Sequence, residues 1–179
     1  MPYATPSGFI RRYGLRETVQ LLSDEERLLT EALLRAAMDV TAGGNWPEGT
    51  SDDEQAVAVA ALARIERQLV NTSNLIDGYI RVQVALPLSA DDANAGTLED
   101  CCLALVRCEL ADDDENATER MQKGCEGWRA WLRDIAAKKV QLIGADGNVP
   151  ASSGGIRTGQ ACSAYPWALF GAGTGRRHP

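Results

Sequence analysis

Histidine occurs once, at His178, phenylalanine twice, and five cysteines at positions 101, 102, 108, 125 and 162 form no C-x-x-C pair. One imidazole beside the C-terminus cannot serve a Ser-His-Asp or Cys-His arrangement, and the cysteine spacing excludes the usual zinc patterns. No apolar run approaches the length of about 18 residues that a membrane helix needs. Basic residues are also scarce, with 18 Lys plus Arg against 25 Asp plus Glu and a net charge of −7. A groove that binds nucleic acid by neutralising phosphate is therefore not expected. Ten aromatics in 179 residues, amid abundant Ala, Leu, Glu and Arg, favour helices over a β-sandwich. An apolar content of 45% is enough for one domain with a real core. The odd cysteine count and the lack of a basic-then-apolar leader point to a reducing cytosol.

Composition divides the chain at Gly144. Residues 144–179 hold eight Gly and three Pro in 36, and read as an extended arm. Arg157, Arg176 and Arg177 against Asp146 make that arm +2, while residues 1–143 carry −9. The division predicts a helical domain over 1–143 and an interaction arm over 144–179.

The first 143 residues predict an all-α bundle with one long helix. Thr5 followed by Pro6 reads as a cap and first helical position, with Gly14 as the stop. A second short helix covers 16–22. Ser23 and Glu26 have capping-box spacing, which predicts a longer helix from there, carrying Leu29, Leu33, Ala36 and Val40 and ending at Gly43-Gly44. Residues 43–52 form a loop with Trp46 as its main apolar feature. From Asp53 the stripe Ala58, Leu62, Ile65, Leu69, Ile76 and Ile80 predicts a helix reaching Val84, with a possible kink site at Asn71-Thr72-Ser73-Asn74 and a stop at Pro87. Thr97 is the expected cap of a helix over 98–110, apolar on every face and so central. Asn116 is the expected cap of a last helix over 117–138 whose seam is Met121, Cys125, Trp128, Leu132 and Ile135. Val140-Gln141-Leu142-Ile143 is β-prone.

The residues that invite a chemical role mostly have a plainer reading. Cysteines on an apolar helix pack as small hydrophobes with neutral thiols. The pairs Asp52-Asp53 and Asp91-Asp92 and the run Asp112-Asp113-Asp114 stand at helix boundaries, where they cap helices and solubilise the chain. The chain is accordingly expected to be no enzyme and to need no metal or cofactor. The arm segment Ala164-Tyr165-Pro166-Trp167-Ala168-Leu169-Phe170 is harder to explain that way, since the arm cannot bury it unaided. Tyr165, Trp167, Leu169 and Phe170, with Arg176 and Arg177, are the expected partner-binding residues. Trp46, Tyr79 and Trp131 are candidates for subunit contacts.

Four segments in order carry a resemblance: Met1-Pro2-Tyr3-Ala4-Thr5, Ile76-Asp77-Gly78-Tyr79-Ile80, Ala85-Leu86-Pro87-Leu88, and the stretch from Trp131-Leu132-Arg133-Asp134-Ile135 through Lys139-Val140. Over 1–143 the chain resembles a Mu-like prophage family of small virion proteins encoded among head genes. The resemblance implies a head-tail connector (adaptor) subunit, made in the host bacterial cytoplasm and located in the virion neck. It implies a ring of about twelve copies beneath the portal protein, with a tail-side connector or stopper protein below. DNA would pass through the channel without specific binding, which an acidic wall permits, and no membrane is involved. Residues 43–53 are extra relative to that expectation, and the family supplies no catalytic residue. Two other readings compete: a cytosolic helical protein-binding or regulatory module, and a thiol-dependent sensor built on Cys101, Cys102 and Cys108.

Overall fold

A computed structural model describes residues 2–22, 28–89, 91–111 and 117–143. The six predicted arm anchors, the Ser23 and Glu26 pair, the run 112–115 and Asn116 lie outside the described residues. Within them the protein is all-α, with six helices and no strand: α1 (Pro6–Tyr13), α2 (Leu15–Leu22), α3 (Glu31–Thr41), α4 (Asp52–Ile80), α5 (Ala95–Leu110) and α6 (Glu119–Ala136).

Local signals start and stop several of these helices. Thr5 Oγ1 accepts the Gly8 N–H at 3.1 Å, Pro6 opens α1, and Gly14 at φ 83° closes it in the left-handed region that glycine tolerates. Ser51 and Glu54 form a capping box at the head of α4: each side chain takes the other residue's backbone N–H. That bond to the Ser51 N–H lowers the Glu54 carboxyl below its ordinary pKa.

The third helix starts later than its sequence suggests. Residues 28–30 are non-helical, and Thr30, not Ser23, is the cap, accepting the Leu33 N–H at 3.2 Å. Leu29 just before the cap and Leu34 in the first turn are both buried, which is the arrangement of a hydrophobic staple. Two buried leucines hold this entry in place, whereas a capping-box spacing offers only short-range bonds.

Helix α4 is the spine. It is unbroken over 29 residues, about 43 Å at 1.5 Å per residue, and packs against α1, α3, α5 and α6. Ala58, Ile65, Leu69, Ile76 and Ile80 are buried as the stripe predicts, and Leu62 is half-buried. The polar stretch 71–74 does not break the helix. Ser73 Oγ donates to Leu69 O at 2.7 Å and accepts the Tyr3 N–H at 3.0 Å, and the Tyr3 hydroxyl bonds Asp77, so these side chains seat the N-terminus on the spine. Burial, and then the bond to Asp77, raise the Tyr3 pKa.

The spine ends at Ile80, four residues before Val84, and the Leu86-Pro87 peptide is cis. Gln83 lies just past this stop and is committed to the C-terminal end of the body. Its Nε2 donates to Ile135 O at 2.6 Å and to Val140 O at 2.7 Å, and its Oε1 accepts the Leu142 N–H at 3.0 Å. Asn94 does the same one step on: Nδ2 donates to Ile143 O at 2.8 Å, and Oδ1 accepts the Ile143 N–H at 3.0 Å. The β-prone stretch 140–143 thus finds its hydrogen bonds on two carboxamide side chains, and no strand forms.

Helix α5 begins at Ala95, with Asn94 and not Thr97 in the cap position; the Asn94 side chain makes no cap bond because it is committed to Ile143. Leu98, Cys101, Cys102, Leu103, Leu105, Val106 and Leu110 are buried over a broad arc of its circumference, while Gly96, Thr97 and Glu109 are exposed and Asp100 and Arg107 partly so; the helix is central, but not buried on every face as its sequence suggests. Helix α6 is capped by Thr118, whose Oγ1 accepts the Met121 N–H at 3.3 Å, in place of Asn116. Met121, Cys125, Leu132 and Ile135 are buried, and Trp128 is half-buried.

Candidate assembly surfaces

Trp46, Tyr79 and Trp131 lie on three different elements: the α3–α4 loop, the last turn of α4, and α6. All three are half-buried and pack partly against the core of their own chain. Trp131 meets Trp128 edge to face, with centroids 5.4 Å apart and planes at 85°, a geometry that aromatic quadrupoles favour. Each candidate therefore offers a neighbour only part of its ring. No described contact gathers the three into one patch.

A surface that sequence reasoning missed lies on α4. Opposite its buried stripe, Ala56, Val59, Ala60, Ala63 and Val70 face water, with the exposed Arg67 and Asn74 on the same face and Leu75 on another side of the helix. Val59 is 54% exposed, Leu75 46%, Val70 41%, and Val82 just past the helix 47%. The signal is a short second apolar series, Ala56, Val59, Ala60 and Ala63, that Arg67 interrupts before Val70, and the longer core stripe on the same helix overshadows it.

The cysteines divide into two kinds. Cys101 and Cys102 are free and fully buried; burial pushes the Cys101 thiol up to about 12 and Cys102 to about 11, the latter against a bond from Ser73. Cys108 departs from a purely packing role: it is joined to Cys125 as a disulfide between α5 and α6, with Cα atoms 6.6 Å apart. A sensor built on Cys101, Cys102 and Cys108 is disfavoured, because Cys101 and Cys102 are buried with raised thiol pKa values and Cys108 pairs with Cys125 and with neither of them. Raised thiol pKa values favour folding below the ordinary thiol pKa, near about 8.5, and that contribution disappears as pH rises through the folded values. Stability is thus expected to fall between about pH 8.5 and 12, and a thiol reagent at pH 8 should leave Cys101 and Cys102 unlabelled in the folded protein. A denaturation midpoint flat across that alkaline range, or labelled peptides containing these two residues, would refute it.

Two adjoining open cavities of ≈ 300 and ≈ 410 Å³ run between α2 and α6 across α5, sharing Tyr13, Arg107, Thr118 and Met121. Arg107 is already engaged, bonded to Glu17 and lying 4.9 Å over the Tyr13 ring. Among the described residues that line it, the groove holds no nucleophile hydrogen-bonded to a base. No group of three metal-capable side chains exists among the described residues, and no described helix is long and apolar enough to cross a membrane.

A family model described as Bacteriophage Mu, Gp36 matches residues 3–159, spanning every described helix. The chain belongs to the bacteriophage Mu Gp36 family. The match includes the sequence segments that carry the resemblance from Tyr3 onward. It runs past Ile143 into the arm, and ends before the aromatic segment 164–170. Neither the curated proteins nor the solved structures contain a match. As a Gp36-family member the chain is a Mu-like phage protein built as a helical bundle.

Proposed function

We propose that this Gp36-family chain is a non-catalytic structural protein of a tailed phage: a head-tail connector subunit whose copies form a ring under the portal, around the DNA channel. The observation that carries the reading is the family match over the whole described body. The half-buried Trp46, Tyr79 and Trp131 on separate elements are consistent with it, because a ring needs two different flanks on each subunit and a rotation that closes. An acidic body suits a channel wall that must not hold passing DNA. The arm, through Tyr165, Trp167, Leu169, Phe170, Arg176 and Arg177, reaches the portal or a neighbouring subunit, and a tail-side connector or stopper closes the stack. The reading assigns the protein to the virion neck and calls for no cofactor or metal.

Mass photometry of the full chain, alone and with portal, tests this. A closed species near twelve copies, roughly 230 kDa for a 19.2 kDa chain, is expected in at least one condition. Monomers or dimers under both conditions would overturn the ring and favour a cytosolic binding module.

A further inference from the structure

We infer that the exposed face of α4 is a docking surface for the chain's own aromatic segment, residues 165–170, before any partner takes that segment away. This goes beyond the ring reading and does not depend on it.

The surface is selective. Of the six large hydrophobics exposed among the described residues, Val59, Val70 and Leu75 stand on α4, Val82 follows it, and Ile143 is where the described chain ends. Small side chains at Ala60 and Ala63 lie between Val59 and Val70, with Ala56 one turn before, so bulky rings can come close to the helix, and the exposed Arg67 on the same face can meet an aromatic ring with its guanidinium. Such a face left open is an association liability, as is an arm with three aromatics and a leucine in six residues. Each is a chemically suitable cover for the other.

Connectivity and charge select the arm as occupant. The body ends at the right place: Leu142 is bonded to Gln83, three residues beyond the end of α4. The next 22 residues are rich in glycine, and a chain of that kind spans about 26 Å root-mean-square. From Gln83 back to Val70 is about 20 Å along the helix, and to Ala63 about 30 Å. Running antiparallel to α4, the segment 165–170 therefore reaches the stretch from Val70 to Val59 without being fully extended. Six further residues bring Arg176 and Arg177 towards Asp52 and Asp53, which are exposed at the N-terminal end of α4. The arm is +2 and the body −9, so attraction has the required sign. Tethering also places the segment at millimolar effective concentration, so even a weak apolar contact is occupied.

The test uses the full chain at low concentration, with a photo-cross-linking residue at position 63. Trypsin cuts after Arg157 and Arg176, so one peptide, residues 158–176, carries all four anchors. An intramolecular cross-link from position 63 to that peptide is expected. Cross-links only to α4 of a second copy, or none to residues 158–176, would overturn the inference. As a second readout, the double substitution V59D/V70D on the water-facing side should leave helix content unchanged and speed chymotryptic cleavage after Trp167 and Phe170 about tenfold, because cleavage follows the undocked population. Equal cleavage rates in the two proteins would also overturn it. Either failure leaves the ring untouched, since that is read from particle mass.

Discussion

Leu132→Ala is expected to destabilise the protein by about 2–5 kcal/mol, the range for emptying a fully buried leucine site. Leu132 lies on α6 at 0% exposure, in the layer where α6 meets α4 and α5, with Leu105 of α5 also buried. The cost is large because the side of α5 that meets α4 and α6 is fully buried. Its neighbours, held between α4 and α6, have little freedom to move into a void, so both transfer and cavity terms apply. For a body of this size the melting temperature should fall by roughly 5–20 °C. Val82→Ala is the matched control, at 47% exposure, and should cost about 0.5 kcal/mol or less. An unchanged melting temperature for the Leu132 variant would show that the α6 seam is misplaced.

The second large effect concerns assembly. A chain ending at Ile143 is expected to fold with near-normal stability and yet fail to join the portal in reconstitution. The bonds that seat residues 140–143 all come from within the body, through Gln83 and Asn94, and Leu142 is buried there, so the truncation removes no core contact among the described residues. What it removes is the anchor set Tyr165, Trp167, Leu169 and Phe170 with Arg176 and Arg177. Circular dichroism and thermal melting report the first half of the expectation, and co-sedimentation with portal the second. Normal incorporation of the truncated chain into infectious particles would show that the arm is dispensable for attachment.

The elements legible in the sequence are those whose causes lie within a few residues. Thr5, Pro6 and Gly14 delimit α1 because a cap bond, a fixed φ and a left-handed stop are all local. The stripe on α4 and the broad apolar arc of α5 were readable because the helical repeat turns spacing into direction, although α5 is not buried on every face. Leu132, in the seam of α6, was placed in the core on the same ground. The expected caps Ser23, Thr97 and Asn116 misled, and the structure places the cap positions at Thr30, Asn94 and Thr118. Burial of Leu29 and Leu34 settles the first, and the bond from Asn94 to Ile143 bears on the second; these depend on contacts that form only when distant segments meet. Gln83 was unreadable as the clasp on residues 135–142, because its partners stand 52 to 59 residues away. The pairing of Cys108 with Cys125 needed α5 and α6 to lie side by side. The water-facing side of α4 was likewise a tertiary outcome. The sequence made that helix apolar on more than one side, and only the packing of α1, α3, α5 and α6 decided which side remained open, because each of those helices covers part of its circumference and none covers the rest.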